Sequence, residues 1–158
     1  MKRTYFVANV VIALLVAVAA ALIIFKFVLP RSETGSFEIK DLNTITVYDL
    51  NENPLNLTDL LDKDKETYCL MFELTNCYSC IFKGIEELRQ LRQSGAHCLA
   101  IAVHDLVFDI EGWSRKQSFS PFFVLKKIDF YRAVQCPLMP VLFTLKNGKV
   151  THFRFITP

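Results

Sequence analysis

What this sequence lacks narrows its function before any motif is read. Lysine and arginine number 18 against 16 aspartates and glutamates, a formal charge of +2, and they form no basic run. Nucleic acid is therefore not an implied partner. No internal repeat and no low-complexity stretch lies beyond the first thirty residues, so the remainder is one ordinary globular unit. There are five cysteines but only one close pair, Cys77 and Cys80, and no second C-x-x-C completes a four-ligand zinc site. The last absence is of charge. From Phe6 to Phe25 there is no charged residue at all.

That uncharged run, with Val10 to Ile24 almost wholly aliphatic, is long enough to cross a bilayer as a helix. Lys2 and Arg3 supply a basic start, and Ala19-Ala20-Ala21 resembles a signal-peptide cleavage site. The apolar run continues past it through Leu22 to Phe25, longer than a signal core, so the expectation is an uncleaved anchor over residues 1–29. Residues 30–38, with Pro30, Ser36 and Gly35, read as a tether, and 39–158 as the globular domain. The basic N-terminus places the chain start inside, although Lys26 and Arg31 dilute that bias. An exposed C-x-x-C suits an oxidising compartment. The expected location is thus a bacterial inner membrane, single-pass, with the domain on the periplasmic or extracytoplasmic side.

Within the domain, Ile45–Leu50, the turn Asn51-Glu52-Asn53-Pro54 and Leu55–Leu57 read as a hairpin. Thr58 or Asp59 is expected to cap a brief helical turn through Leu61. Thr67–Leu74 is a buried strand, and Ile81, Ile85, Leu88 and Arg92 then recur at helical spacing until Ser94-Gly95. Cys98–Val103 is a second buried strand, so strand, helix and strand form a right-handed parallel crossover. A weaker helix is expected over Asp109–Ser118 with Trp113 as its anchor. A short strand at Phe122–Leu125 and a helical turn at Ile128–Val134 follow. Two strands, Val141–Leu145 and Val150–Phe155, close around Lys146-Asn147-Gly148-Lys149, a strong hairpin signal.

Cys77 and Cys80 thus sit where a strand turns into a helix. Free N–H groups and the helix dipole at that position favour a thiolate at Cys77, lowering its pKa from ~8.5 to roughly 3.5–7.5. Cys80, one turn on, is placed to close a disulfide with it, which points to dithiol–disulfide exchange. Cys69 and Cys98 lie inside apolar strands and read as small buried hydrophobes. Cys136 reads as packing or as a third redox thiol. His97, His104 and His152 are scattered.

With these features in order, the soluble part resembles the thioredoxin-like superfamily over nearly its whole length. The resemblance is carried by the strand leading into Cys77-Tyr78-Ser79-Cys80, by a proline before a strand in Met139-Pro140-Val141, and by the closing hairpin Phe143–Val150. The leading hairpin, Tyr48–Leu60, is similar to that of membrane-anchored thiol–disulfide oxidoreductases related to alkyl hydroperoxide reductase/thiol-specific antioxidant and cytochrome c maturation proteins. The resemblance implies an α/β fold with a central mixed sheet flanked by helices. It implies Cys77 as attacking thiol and Cys80 as resolving thiol. It implies a cis Pro140 whose loop offers the Met139 backbone to a protein substrate, and no resident cofactor or metal. Implied partners are protein thiols and disulfides and a membrane electron donor or acceptor.

Several departures stand out. Asn76 replaces the tryptophan that commonly precedes the first cysteine, and Met71 stands where many thioredoxins bury an acid. Glu73, two residues on, is the accessory candidate for proton acceptor. The peroxiredoxin pattern is disfavoured, because Leu70 and Leu74 occupy its proline and threonine positions relative to Cys77. The final strand runs straight into Thr157-Pro158, so the usual C-terminal helix is expected to be missing. Val150, His152, Arg154 and Ile156 are expected on one face and Thr151, Phe153 and Phe155 on the other. The uncovered row calls for cover from a second copy, from a membrane partner, or from the segment between Pro30 and Ile39 folding back. The alternatives to exchange are a thioredoxin-fold carrier of copper, with Cys136 or a histidine as third ligand, and a non-catalytic interaction module.

Overall fold

The structure is a computed structural model, and it describes residues 36–158 with the exception of Ser118. The expected anchor over 1–29 and most of the tether lie outside the described residues. Among those described, no helix is long and apolar enough to cross a membrane.

The order of elements is β1 (Glu38–Ile39), a 3-10 turn (Leu42–Thr44), β2 (Thr46–Tyr48), β3 (Pro54–Asn56), a 3-10 turn (Leu57–Leu60), β4 (Thr67–Phe72), α1 (Tyr78–Gln93), β5 (His97–Val103), α2 (Val107–Ser114), β6 (Phe122–Leu125), α3 (Lys127–Ala133), β7 (Val134–Gln135), β8 (Val141–Lys146) and β9 (Lys149–Phe155). Seven strands form one mixed sheet in the order β3-β2-β6-β5-β4-β8-β9, and β1 pairs separately with β7. β4, β5 and β6 are mutually parallel, while β8 runs antiparallel to β4 with Met71 opposite Val141. The carboxyl ends of the three parallel strands and the start of β8 therefore share one edge of the sheet.

The sheet is central because its strands are apolar on both sides, as strands covered on two faces must be. One face of β4 and β5 presents Cys69, Met71, Leu99, Ile101 and Val103, packed with Phe130 and Ala133 of α3 and with Ile45 and Leu57. The other presents Leu70, Phe72, Ala100 and Ala102, packed with Ile81, Ile85 and Leu88 of α1 and Ile110 of α2. Burial of each large aliphatic side chain contributes roughly 1.5–3 kcal/mol. Gly84 lets α1 approach this face. A Cβ there would lie 2.7 Å from both Ile156 Cδ1 and Leu70 Cδ1. The helix ends in a Schellman motif, with Gly95 at φ +89° and its N–H bonded to the Arg92 carbonyl, and the Ala96 N–H bonded to the Leu91 carbonyl.

The leading hairpin forms as expected, with Thr46 opposite Asn56. The turn after it begins earlier than expected. Its cap is Asn56, whose side-chain oxygen accepts the Thr58 N–H at 3.0 Å, because Leu57 must enter the core. The helix around Trp113 also begins two residues early, at Val107. Val107 and Ile110 are both drawn into the core, and the Leu106 N–H is taken by His104 Nδ1 at 3.1 Å. Trp113 anchors it between Phe72 and Phe122, at 5.3 and 5.6 Å between ring centroids.

The end of the chain corrects the expected facing. A β-bulge between Thr144 and Leu145 places Val150, not Thr151, opposite Leu145. Val150 therefore packs with Phe155 on the face that holds Phe143, instead of with His152 and Arg154. Cover for that row comes, among the described residues, from the segment before β1. The Phe37 ring is buried, with centroids 4.7 Å from Phe143 and 5.8 Å from Phe153. Phe37 and Glu38 thus belong structurally with the domain. On the other face Arg154 pairs with Glu87 of α1, pinning the edge strand to the helix.

Candidate functional site

The site is assembled at the sheet edge where β4 ends. Beyond Phe72 the chain makes a tight loop closed by two reciprocal bonds, in which the Glu73 N–H donates to Asn76 Oδ1 at 2.8 Å and the Asn76 N–H donates to the Glu73 carbonyl at 3.0 Å. This loop delivers Cys77 to the N-cap of α1, where its carbonyl accepts the N–H groups of Cys80 and Ile81, both at 3.1 Å. Cys77 is exposed, whereas Cys80, one turn on, is only 2 % exposed and faces the core beside Ile81. One thiol of the pair is open to a partner and the other is not. Both are free thiols.

The electrostatics follow the geometry. The Cys77 thiol is lowered from 9.0 to about 7, first by the Cys80 thiol that can donate to it, then by the Ser79 hydroxyl, then by the Cys80 backbone N–H. Ser79 Oγ lies 3.0 Å from Cys77 Sγ and donates to the sulfur once it is ionised. A thiol with that pKa is about half ionised at pH 7, against about one part in a hundred at 9. Cys80 is raised, because its proton serves the Cys77 thiolate and because burial disfavours its charge. The two thiols are thus held apart in acidity as attacking and resolving groups need to be.

Across from this dithiol, at the start of β8, the Met139–Pro140 peptide is cis. Pro140 is buried, and its carbonyl accepts the Ile156 N–H at 2.8 Å. The N–H and C=O of Met139, by contrast, have no hydrogen-bond partner among the described residues. Because β4 and β8 are hydrogen-bonded neighbours, this free peptide edge and the helix start bearing Cys77 emerge side by side.

Neither accessory candidate makes a hydrogen bond to either thiol of the pair among the described residues. Glu73 is tied to its own loop, with Oε2 accepting from the Thr75 hydroxyl at 3.1 Å. Its Oε1 is buried with no partner among the described residues, and neither oxygen is bonded to Cys77 or Cys80. Cys136 is half-buried, donates to the Leu138 carbonyl at 2.9 Å, and is pushed up to about 11 by burial. Cys69 is raised strongly by complete burial and Cys98 less so. Among the described residues no three His, Cys, Asp or Glu side chains converge on one point. Sequence reasoning passed over Ser79 and Asn76. For Asn76 the signal was its side-chain type, since an asparagine just before a helix start commonly closes a loop on a backbone N–H. Lys83 was also missed. It donates to the Thr157 carbonyl at 3.2 Å and ties the first turns of α1 to the chain after β9.

No protein-family model and no curated relative matches this chain. Solved structures do match. A thiol:disulfide interchange protein from Bacteroides sp. superposes with a TM-score of 0.58 at 14% identity, covering 74% of this chain and 81% of that one. An uncharacterized thioredoxin-like protein from Porphyromonas gingivalis gives 0.56 at 20% identity over 74% and 81%. The thioredoxin domain of a thiol-disulfide oxidoreductase from Bacteroides vulgatus gives 0.55 at 18% identity over 77% and 91%. The fold of this domain is thioredoxin-like.

Proposed function

We propose that this protein is an enzyme of thiol–disulfide exchange acting on polypeptide substrates, with Cys77 attacking and Cys80 resolving. The observation that carries the reading is the asymmetry of the pair, an exposed thiol lowered to about 7 one turn ahead of a buried thiol that is raised. The Cys77 thiolate attacks one sulfur of a substrate disulfide, that S–S bond breaks, and the departing thiolate takes up a proton. Cys80 then loses its proton and attacks Cys77 Sγ. The mixed disulfide breaks, a second substrate thiol leaves, and the Cys77–Cys80 disulfide remains. The substrate gains two electrons and the protein loses two. The same steps reversed oxidise a dithiol. The free N–H and C=O of Met139 support strand-like pairing with the substrate backbone beside Cys77.

The setting belongs to the same proposal. The uncharged run from Phe6 to Phe25 supports a retained membrane anchor, and Lys2 and Arg3 support an inside N-terminus with the domain in the periplasm. A membrane-held donor or acceptor of electrons then resets the dithiol. The test is a Cys80→Ser variant of the full chain in detergent, mixed with insulin as disulfide substrate. A mixed disulfide through Cys77 is expected to persist and to dissolve on adding a small thiol. No adduct at Cys77 above that of a Cys77→Ser, Cys80→Ser double variant would refute the reading.

A further inference from the structure

Of the eight large apolar side chains that are exposed among the described residues, all but Phe153 lie in segments that follow β4, β5 or β6 or precede β8, around the edge that bears Cys77. Two of them, Leu106 at 60 % and Phe108 at 76 % exposure, open the α2 segment and, with Val107, wall a cavity of about 200 Å³ against the β2–β3 hairpin. Tyr48 and Lys126 line its opposite side, the Lys126 ammonium resting 4.4 Å from the centre of the Tyr48 ring. Glu52 and Asp105 complete the lining. Neither carboxylate has an ionic partner among the described residues. Asp105 accepts only the Lys127 backbone N–H at 3.3 Å. Lys126 is held over the aromatic ring, so the cavity keeps apolar walls and a net negative rim.

We propose that this cavity takes a lysine or arginine side chain of the polypeptide substrate, about three residues from the cysteine that Cys77 attacks. A long basic side chain fits the lining, because its aliphatic stem lies on Leu106 and Phe108 while its charged head reaches the free carboxylates. The spacing comes from the sheet. Adjacent strands lie ~4.8 Å apart, so the cavity, framed by the segment after β5 one strand from β4 and by the β2–β3 hairpin three strands or more away, is centred about 10 Å from the line of β4. An extended chain covers that distance in about three residues at ~3.3 Å each. The free backbone of Met139 on the opposite side of β4 fixes such a chain in register. This assignment rests on the exchange reading and adds a preference that the cysteine pair alone does not create.

The test uses symmetric disulfide-linked peptides that differ only in arginine or glutamate three residues from the cysteine, on either side, with single-turnover rates read on the reduced full chain in detergent. Each exposed charge contact contributes a fraction of a kcal/mol, so two carboxylates make the arginine peptide roughly five- to tenfold faster. In a Glu52→Gln, Asp105→Asn variant that ratio falls to within about twofold of unity, and moving the arginine to the sixth residue abolishes it in the native chain. Equal rates for the two peptides overturn the assignment, as does a ratio that survives either change. Oxidised glutathione, reacted with the native chain, separates the two claims. If it is reduced and the peptides are alike, only the cavity assignment fails. If neither it nor any peptide reacts, the exchange reading fails as well.

Discussion

Replacing Gly84 by alanine tests the seat of the helix that carries the dithiol. Alanine is ordinarily better in a helix than glycine by about 1 kcal/mol. Here the new Cβ would lie 2.7 Å from Ile156 Cδ1 and 2.7 and 3.0 Å from the two methyls of Leu70, closer than carbon atoms approach. Both neighbours are buried, at 4 % and 0 % exposure. Ile156 is further held by its backbone bond to the Pro140 carbonyl. Overpacking of this kind costs about 1–3 kcal/mol, so the net is a loss of about 0–2 kcal/mol. For a domain of this size that lowers the melting temperature by a few degrees, roughly 3–5 °C per kcal/mol. Gly112 is the internal control, since a Cβ there meets nothing within 4 Å, and Gly112→Ala should raise stability by about 0.5–1 kcal/mol. Thermal unfolding of the full chain, followed by circular dichroism, reads both. If Gly84→Ala stabilises as much as Gly112→Ala, the close seat of α1 on Leu70 and Ile156 is wrong.

Alkylation of reduced Cys77 should rise with pH through a midpoint near 7, because only the thiolate reacts, and Ser79→Ala should move that midpoint up by roughly half to one pH unit. An unchanged midpoint in Ser79→Ala would remove the hydroxyl from the account. Cys136→Ser should leave exchange rates unaltered, since that thiol is half-buried and raised to about 11, and a clear loss would make it a third redox group. Thr67→Val should cost about 1–2 kcal/mol by denaturant unfolding, because the buried hydroxyl accepts the Asp62 N–H at 3.2 Å and meets His97 Nδ1 at 3.1 Å. A neutral result would show those partners satisfied by water.

The parts of the fold that were legible in the chain are those dictated by local chemistry. The apolar run of β4, the 81/85/88 stripe of α1, Gly95 at its end and Asn147-Gly148, with φ of +51° and +70°, each specify one local answer. The helix N-terminus at Cys77 and the proline before β8 could be located for the same reason. What was not legible depends on partners far away in sequence. The bulge that turns Val150 inward is set by Leu145 and the core behind it, not by the alternation of β9 itself. The segment between Pro30 and Ile39 was one of three covers expected for the last strand, and it is Phe37 of that segment that lies on Phe143 and Phe153, but nothing in its neighbourhood singles out that ring or that alternative. The loop after β4 was equally hidden, because it is closed by the Asn76 side chain reaching back to the Glu73 N–H, a bond that strand parity along β4 does not reveal. The α2 cavity was invisible because it joins Glu52 of one loop to Asp105 and Lys126 of two others.

The central claim is electron transfer through Cys77, and one stoichiometric measurement tests it most directly. Reduced full chain in detergent is mixed with insulin at pH 7, and the insulin thiols released are counted against Cys77–Cys80 disulfide formed. The account predicts two substrate thiols for each protein disulfide, at a rate that Cys77→Ser abolishes. Equal rates for the native chain and Cys77→Ser would contradict it.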